Sequence, residues 1–308
     1  MTYAALDRRT VCKSLLALSV AVARGQSRTE PALRTREVKA RGFRFDALEA
    51  GSGGEPALLL HGFPETSLMW TGLMPVLADA GFHCLAPDQR GYSRGARPTD
   101  VNAYRYEELV ADMFAFGREL GGRFHLVGHD WGAIVGWLAL TTDPSPIASF
   151  TAISIPHYAA WAKSVYDDEG MTRYRELLKV WMTEGAGEAS ITPDWLRGAW
   201  AAKAPEQTEK LIAQMTEPGA MTAALNWYRA SRGHKRTMED FRLLPVSVPT
   251  LLIWGRNDLG RRSVTDAAAW MTGDYRVVEP EGGHFIVDQQ PKVVAEETLA
   301  HIRRHPIK

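Results

Sequence analysis

The densest chemical signal in the chain is Gly128-His129-Asp130-Trp131-Gly132. It lies between an apolar run with the look of a strand, Phe124-His125-Leu126-Val127, and a helical stretch from Ala133 to Leu140. A small residue on each side of a reactive one, at a strand-to-helix junction, is the layout of a nucleophile elbow. There a tight, strained turn lifts one side chain above a sheet. The flanking glycines are required because a Cβ at either place would collide with neighbouring backbone. The residue lifted here is aspartate. A serine would point to acyl transfer, whereas a carboxylate can attack an electrophilic sp3 carbon and form an alkyl ester on the enzyme. The bland alternative is an aspartate that merely caps the helix it precedes.

A carboxylate nucleophile needs a base to hydrolyse that ester, and the base needs an orienting acid. His284, in Gly282-Gly283-His284-Phe285, is the candidate base. Asp258 closes the phrase Ile253-Trp254-Gly255-Arg256-Asn257-Asp258, just past an apolar strand, and is the candidate acid. Asp274, Glu279, Glu281 and Asp288 compete with it for that role. A fourth phrase, His61-Gly62-Phe63-Pro64-Glu65, follows the apolar run Ala57-Leu58-Leu59-Leu60. His83, His125, His157, His234, His301 and His305 fall outside these phrases and read as packing or surface residues.

The elements needed to position these groups repeat in a regular rhythm. Phe43, Phe45 and Leu48 lie in an extended stretch that ends at Gly51-Ser52-Gly53-Gly54. Short apolar strands at Ala57–Leu60, His83–Ala86 and Phe124–Val127 alternate with helical stretches at Trp70–Ala80, Tyr106–Leu120 and Ala133–Leu140. That alternation predicts a mostly parallel sheet with helices on both faces. From residue 157 to 244 the rhythm breaks: helical spacing dominates at Tyr174–Met182, Pro193–Ala202, Glu206–Met215 and Gly219–Arg229. This stretch holds five of the ten tryptophans, Trp161, Trp181, Trp195, Trp200 and Trp227, and reads as an all-helical cap over a pocket. Strands and helices then resume at Thr250–Trp254, Arg262–Met271, Tyr275–Val278 and Lys292–Arg303, so residues 37–156 and 245–308 form one α/β core.

The totals exclude several classes. The chain has 308 residues, 36 basic and 36 acidic, for a formal net charge of zero. A nucleic-acid binder needs a basic excess to displace counterions, so that class is set aside. Two cysteines, Cys12 and Cys84, cannot build a disulfide framework or a cysteine-rich zinc module. No metal-ligand spacing is visible, and neither a metal nor an organic cofactor is expected. At the N-terminus, Arg8-Arg9 and Lys13 precede about ten mostly apolar residues ending in Ala21-Val22-Ala23. This resembles a cleavable twin-arginine export signal over residues 1–23, followed by a linker at 24–36, and predicts a periplasmic or secreted protein. The apolar run is too short to span a bilayer, and the alternative is a cytoplasmic protein with a short N-terminal helix.

Taken together, these phrases make the chain from about residue 37 to 305 resemble the α/β-hydrolase family, and within it the epoxide hydrolases. The resemblance rests on His61-Gly62-Phe63-Pro64-Glu65, Asp88-Gln89-Arg90-Gly91-Tyr92-Ser93, Gly128-His129-Asp130-Trp131-Gly132-Ala133, Leu225-Asn226-Trp227-Tyr228-Arg229 and Gly282-Gly283-His284-Phe285. The order Asp130, Asp258, His284 is the one this fold uses. The resemblance implies backbone N–H donors at Phe63 and Trp131 for an oxyanion, and two cap tyrosines that hydrogen-bond the epoxide oxygen. Tyr228 matches one of these closely; Tyr174 matches the other less well, with Tyr158 and Tyr166 as rivals. Phe63, Trp131 and Trp227 are expected to line the pocket. Where such enzymes often carry a glycine after Tyr92 this chain has Ser93, a departure that touches a turn. The implied reaction turns a small apolar epoxide into a vicinal diol through an ester on Asp130, hydrolysed by water that His284 activates. The alternative with the same nucleophile is a haloalkane or haloacetate dehalogenase. Phe63 in place of a halide-binding asparagine weakens the first, and Trp131 in place of an arginine weakens the second.

Overall fold

The structure, a computed structural model, describes residues 33–235 and 243–307. The expected export signal, and most of the linker, lie outside these residues. Strand β1 (Arg34–Ala40) takes in Arg34 to Arg36, which the sequence pattern had left in the linker. It pairs antiparallel with β2 (Phe43–Ala50), and β2 pairs antiparallel with β4 (His83–Pro87). The rest of the sheet is parallel: β3 (Pro56–Leu60), β5 (Phe124–His129), β6 (Ile147–Ile153), β7 (Thr250–Ile253) and β8 (Tyr275–Val278). The spatial order of the eight strands is β1-β2-β4-β3-β5-β6-β7-β8. The chain leaves β3 toward β4 and then returns to place β5 on the other side of β3. The strand order therefore reverses between β3 and β5, the kind of place where open α/β sheets bind ligands.

β3, β5 and β6 are buried along nearly their whole length, because helices cover both faces of a parallel sheet. On one face lie α1 (Met74–Asp79) and α12 (Pro291–Arg304), packed with sheet residues such as Leu59, Val127 and Ile253. On the other lie α2 (Tyr106–Glu119) and α3 (Trp131–Thr142), with Leu58, Leu126 and Phe150. β6 carries no expectation from the sequence. Its apolar run is interrupted by Ser149 and Thr151, yet both are fully buried; His125 Nδ1 meets Ser149 Oγ at 2.8 Å, which makes burial of that hydroxyl tolerable.

Among the described residues six α-helices separate β6 from the final α/β units: α4 (Tyr158–Asp167), α5 (Thr172–Met182), α6 (Ala186–Ser190), α7 (Pro193–Ala199), α8 (Pro205–Met215) and α9 (Ala220–Ala230). Their apolar side chains, including Leu178, Leu196, Leu211 and Leu225, join the core cluster of the α2/α3 face. Three further contacts pin them to the sheet side. The Trp227 indole N–H donates to the Arg90 carbonyl at 2.9 Å. Gln214 Nε2 donates to Asp88 Oδ2 at 2.8 Å. Lys203, in the loop between α7 and α8, sits fully buried between Glu65 (3.1 Å) and Asp288 (2.6 Å). The chain then finishes with α10 (Arg261–Ala267), α11 (Ile286–Gln289) and α12. Among the described residues no helix is long and apolar enough to cross a membrane.

Candidate active site

Asp130 stands at the junction of β5 and α3 with φ 50 and ψ −118, a backbone conformation costly for any residue with a Cβ. Neighbouring atoms show why glycines surround it. A Cβ on Gly128 would come within 2.5 Å of the Gly132 carbonyl, one on Gly132 within 2.1 Å of the Leu60 carbonyl, and one on Gly62 within 2.4 Å of Asp130 Cβ. The last of these is how the loop after β3 approaches the elbow. The Phe63 backbone N–H donates to Asp130 Oδ1 at 2.7 Å. His61 holds that loop in place: its Nε2 accepts from the Gln89 N–H at 2.9 Å, and its ring is neutral because burial lowers its pKa. Trp131 is the first residue of α3, so its N–H is one of the donors that a helix leaves without a partner of its own.

His284 faces Asp130 from the loop after β8. Its Nδ1 lies 2.9 Å from Asp258 Oδ2, and its Nε2 lies 3.3 Å from Asp130 Oδ2. Its backbone carbonyl is clamped twice, by Ser154 Oγ at 2.8 Å and by His129 Nε2 at 2.9 Å. Burial disfavours the imidazolium, but Asp258 and Asp130 together overcome it and raise the His284 pKa well above 6.5. For Asp130 the sense is opposite. Burial works against the carboxylate, yet His284 and the Phe63 N–H hold its pKa below the ordinary value, so it is ionised at neutral pH. The four rival acids all face elsewhere: Asp274 pairs with His305, Glu279 with Arg261, Glu281 with Arg256 and Asp288 with Lys203.

These groups open onto a cavity of about 160 Å³. Phe63, Trp161, Trp181, Trp195 and Phe285 form much of its wall, with Tyr228 from α9 and Tyr174 from α5 among the lining residues. Tyr228 packs edge-on against Phe63, ring centres 5.2 Å apart. Both tyrosines have pKa values well above 10, from burial first and then from the Asp130 charge, so both hold their protons. The rivals for the second position sit behind this layer. Tyr158 Oη is bonded to Tyr106 Oη and to His234, and the Tyr166 hydroxyl donates to the Gly233 carbonyl.

Three expectations need correction. Trp227 does not line the cavity: it follows the helical rotation of about 100° per residue, so when Tyr228 faces the site its neighbour turns toward Tyr92 and Arg90. The Trp131 indole does not line it either; it is buried among Tyr106, Trp227, Tyr228 and His234, and only its backbone adjoins the elbow. His234, read as a packing or surface residue, is fully buried beside the two tyrosines and bonded to the Tyr174 hydroxyl at 3.0 Å. Ser93 behaves as the sequence suggested. It ties a turn, donating to the Asp88 carbonyl at 2.6 Å and accepting from the Asp46 N–H at 2.8 Å.

Comparison with known proteins agrees with this geometry. Residues 56–291 match the family model of the alpha/beta hydrolase fold. The chain is 30% identical to epoxide hydrolase A of Mycobacterium tuberculosis, over 86% of this chain and 95% of that protein. It is 28% identical to epoxide hydrolase 3 of mouse, over 86% of this chain and 76% of that one. The crystal structure of epoxide hydrolase A from Mycobacterium thermoresistibile superposes with a TM-score of 0.76 at 25% identity, covering 90% of this chain and all of that one. With its strand order, its strained elbow aspartate and these relatives, the chain belongs to the α/β-hydrolase family and to the epoxide hydrolase-like hydrolases within it.

Proposed function

We propose that the protein hydrolyses a small apolar epoxide to a vicinal diol through an alkyl ester on Asp130. The observation that carries this reading is the carboxylate itself, held between the Phe63 N–H and His284, facing an aromatic cavity with two protonated tyrosines in its wall. Asp130 Oδ1 already occupies the position where an oxyanion would be held, so Oδ2 is the attacking atom. Its bond to a ring carbon forms as the ring C–O bond breaks. The ring oxygen takes a proton from Tyr228 or Tyr174, because an unassisted alkoxide is a poor leaving group. Alkylation removes the Asp130 charge that helped to hold the proton on His284. The imidazolium then releases that proton, which returns the tyrosinate to neutral tyrosine.

Neutral His284, oriented by Asp258, next takes a proton from water, and the hydroxide adds to the ester carbon. The oxyanion at Oδ1 is held by the Phe63 and Trp131 N–H groups. Collapse expels the second alkoxide, His284 protonates it, and the acid of Asp130 returns a proton to His284. One epoxide and one water become one diol. Two tyrosines in the cavity wall, and the absence of Trp131 from that wall, favour this over dehalogenation.

The decisive test is His284→Gln protein mixed with styrene oxide, a bromoalkane and a haloacetate in turn. Intact mass spectrometry should find a gain equal to the whole epoxide, located on Asp130. A gain equal to an alkyl or carboxymethyl group without halogen, and none from the epoxide, would make the enzyme a dehalogenase. We also propose that residues 1–23 direct export. Recovery of the intact N-terminus from bacterial cytoplasm, with none in the periplasm, would overturn that part.

A further inference from the structure

Four rings behind the cavity are joined in one line. Tyr106 Oη lies 2.6 Å from Tyr158 Oη, Tyr158 Oη lies 2.7 Å from His234 Nδ1, and His234 Nε2 lies 3.0 Å from Tyr174 Oη. His234 is fully buried, and its ring stacks on Tyr174 at an interplanar angle of 22°. Its placement is built with some strain. Arg232, Gly233 and His234 all have positive φ, at 53, 61 and 76, in the turn that leaves α9. The Ser231 hydroxyl supports that turn, donating to the Tyr228 carbonyl at 3.1 Å and accepting from the His234 N–H at 3.4 Å. Two of the three, Arg232 and His234, carry a Cβ, and for them the left-handed region costs energy and persists only where the surroundings over-determine it.

A neutral imidazole has one donor and one acceptor nitrogen, so such a line can run in only two directions. Burial keeps His234 neutral, with its pKa lowered to about 4. If Nδ1 carries the proton, Tyr174 must donate to Nε2, and its proton faces away from the substrate. If Nε2 carries it, Nε2–H donates to Tyr174 Oη, Nδ1 accepts from Tyr158, and the Tyr174 proton is left pointing into the cavity. Hydrogen bonds in one direction polarise one another, which also makes the last proton more acidic.

We propose that His234 is a positioning residue that fixes the direction of the Tyr106–Tyr158–His234–Tyr174 line and so presents the Tyr174 proton to the epoxide oxygen. The inference rests on the epoxide reading of the site. It makes the two cap tyrosines unequal: Tyr174 is primed through three buried rings, and Tyr228 stands outside the line. One proton leaves the line in this scheme, and His284 later returns one to Tyr174. Tyr174 donates its proton to the ring oxygen while Nε2–H stabilises the phenolate left behind.

The test separates ester formation from ester hydrolysis by stopped-flow tryptophan fluorescence with styrene oxide. In His234→Leu, ester formation should slow by about 10- to 100-fold, while hydrolysis of the ester stays within about threefold of wild type. His234→Gln, which can place an N–H near Tyr174, should recover part of the loss. In a Tyr174→Phe background His234→Leu should cost nothing further, whereas in Tyr228→Phe it should cost as much as in wild type. Tyr158→Phe, which keeps the ring, should slow ester formation by a smaller factor. Equal slowing of both steps, no recovery in the Gln variant, or a full cost in the Tyr174→Phe background would each overturn the role. Unchanged ester formation in His234→Leu would overturn it too. If wild type forms no ester with any epoxide, the reading of the site falls first and this inference goes with it.

Discussion

On the sheet side of the cavity, Asp130, Asp258 and His284 stand at strand ends, and backbone geometry holds them. Asp130 is fixed by its own strained φ and by glycines that let β3, β5 and α3 approach one another. His284 is fixed through its carbonyl, clamped by Ser154 and His129. On the cap side, Tyr174 and Tyr228 ride on two helices that no strand constrains. Their positions come from ring packing against Phe63, Trp161 and Trp181, from the His234 line, and from buried anchors to the sheet. The difference shows how a site can be divided. The side proposed to form and break the ester is built from short-range rules, and the side proposed to meet the epoxide oxygen is built from long-range packing.

Breaking the sheet side should give the largest effect. Asp130→Ala should lower turnover by on the order of 10⁴-fold or more, because among the described residues no other carboxylate lines the cavity beside His284 except Asp258, which orients the base. Residual turnover within tenfold of wild type would place the nucleophile elsewhere. Next comes the anchor of the cap. Lys203→Met leaves Glu65 and Asp288 buried without their cation, and should cost about 3–5 kcal/mol in urea unfolding. Burial pushes Glu65 up to about 7 even with Lys203 present, so the loss should shrink below that pH as the carboxyl takes up a proton. A loss that does not change with pH would contradict this.

The comparison sharpens with the tyrosines. Tyr228→Phe should slow ester formation by roughly 10²- to 10³-fold, as removal of an oxyanion-type donor does, with ester hydrolysis nearly unchanged. Since both tyrosine pKa values lie well above 10, ester formation should not decline between pH 7 and 10 in wild type. A midpoint inside that range, seen by stopped flow, would contradict the assignment. Smaller again is the stability that charged His284 contributes. Its folded pKa is raised, so this contribution is complete below 6.5 and is lost as pH rises through the raised value. Asp130→Asn removes one of the two carboxylates and should flatten that decline in unfolding free energy. The smallest effect belongs to Ser154→Ala. It removes one of two clamps on the His284 carbonyl and should cost only a few-fold in ester hydrolysis, about 1 kcal/mol.

What the sequence disclosed follows the same division. The elbow was legible because its geometric demand is written as glycines at fixed spacing around Asp130. Asp258 and His284 were legible because chain order and strand ends are local features. β6 was not, since Ser149 and Thr151 interrupt its apolar run, and the partner that makes burial of the Ser149 hydroxyl tolerable, His125, lies outside the strand. His234 was opaque for the same reason. Its partners Tyr174 and Tyr158 lie 60 and 76 positions away, and no periodicity links them. Trp227 was misassigned because aromatic composition reports a ring-rich cap without saying which rings face inward, and Trp131 because its place after the elbow fixes its backbone but not the direction of its ring.

The anchoring of the cap has a bearing on redesign. Lys203, Gln214 and Trp227 tie one part of it to the sheet through buried polar contacts, so change there would be felt across the whole molecule. Leu177 and Trp195 line the cavity, are only partly buried, and belong to none of those ties. These two positions are where the shape of the cavity can be altered without breaking any of those ties.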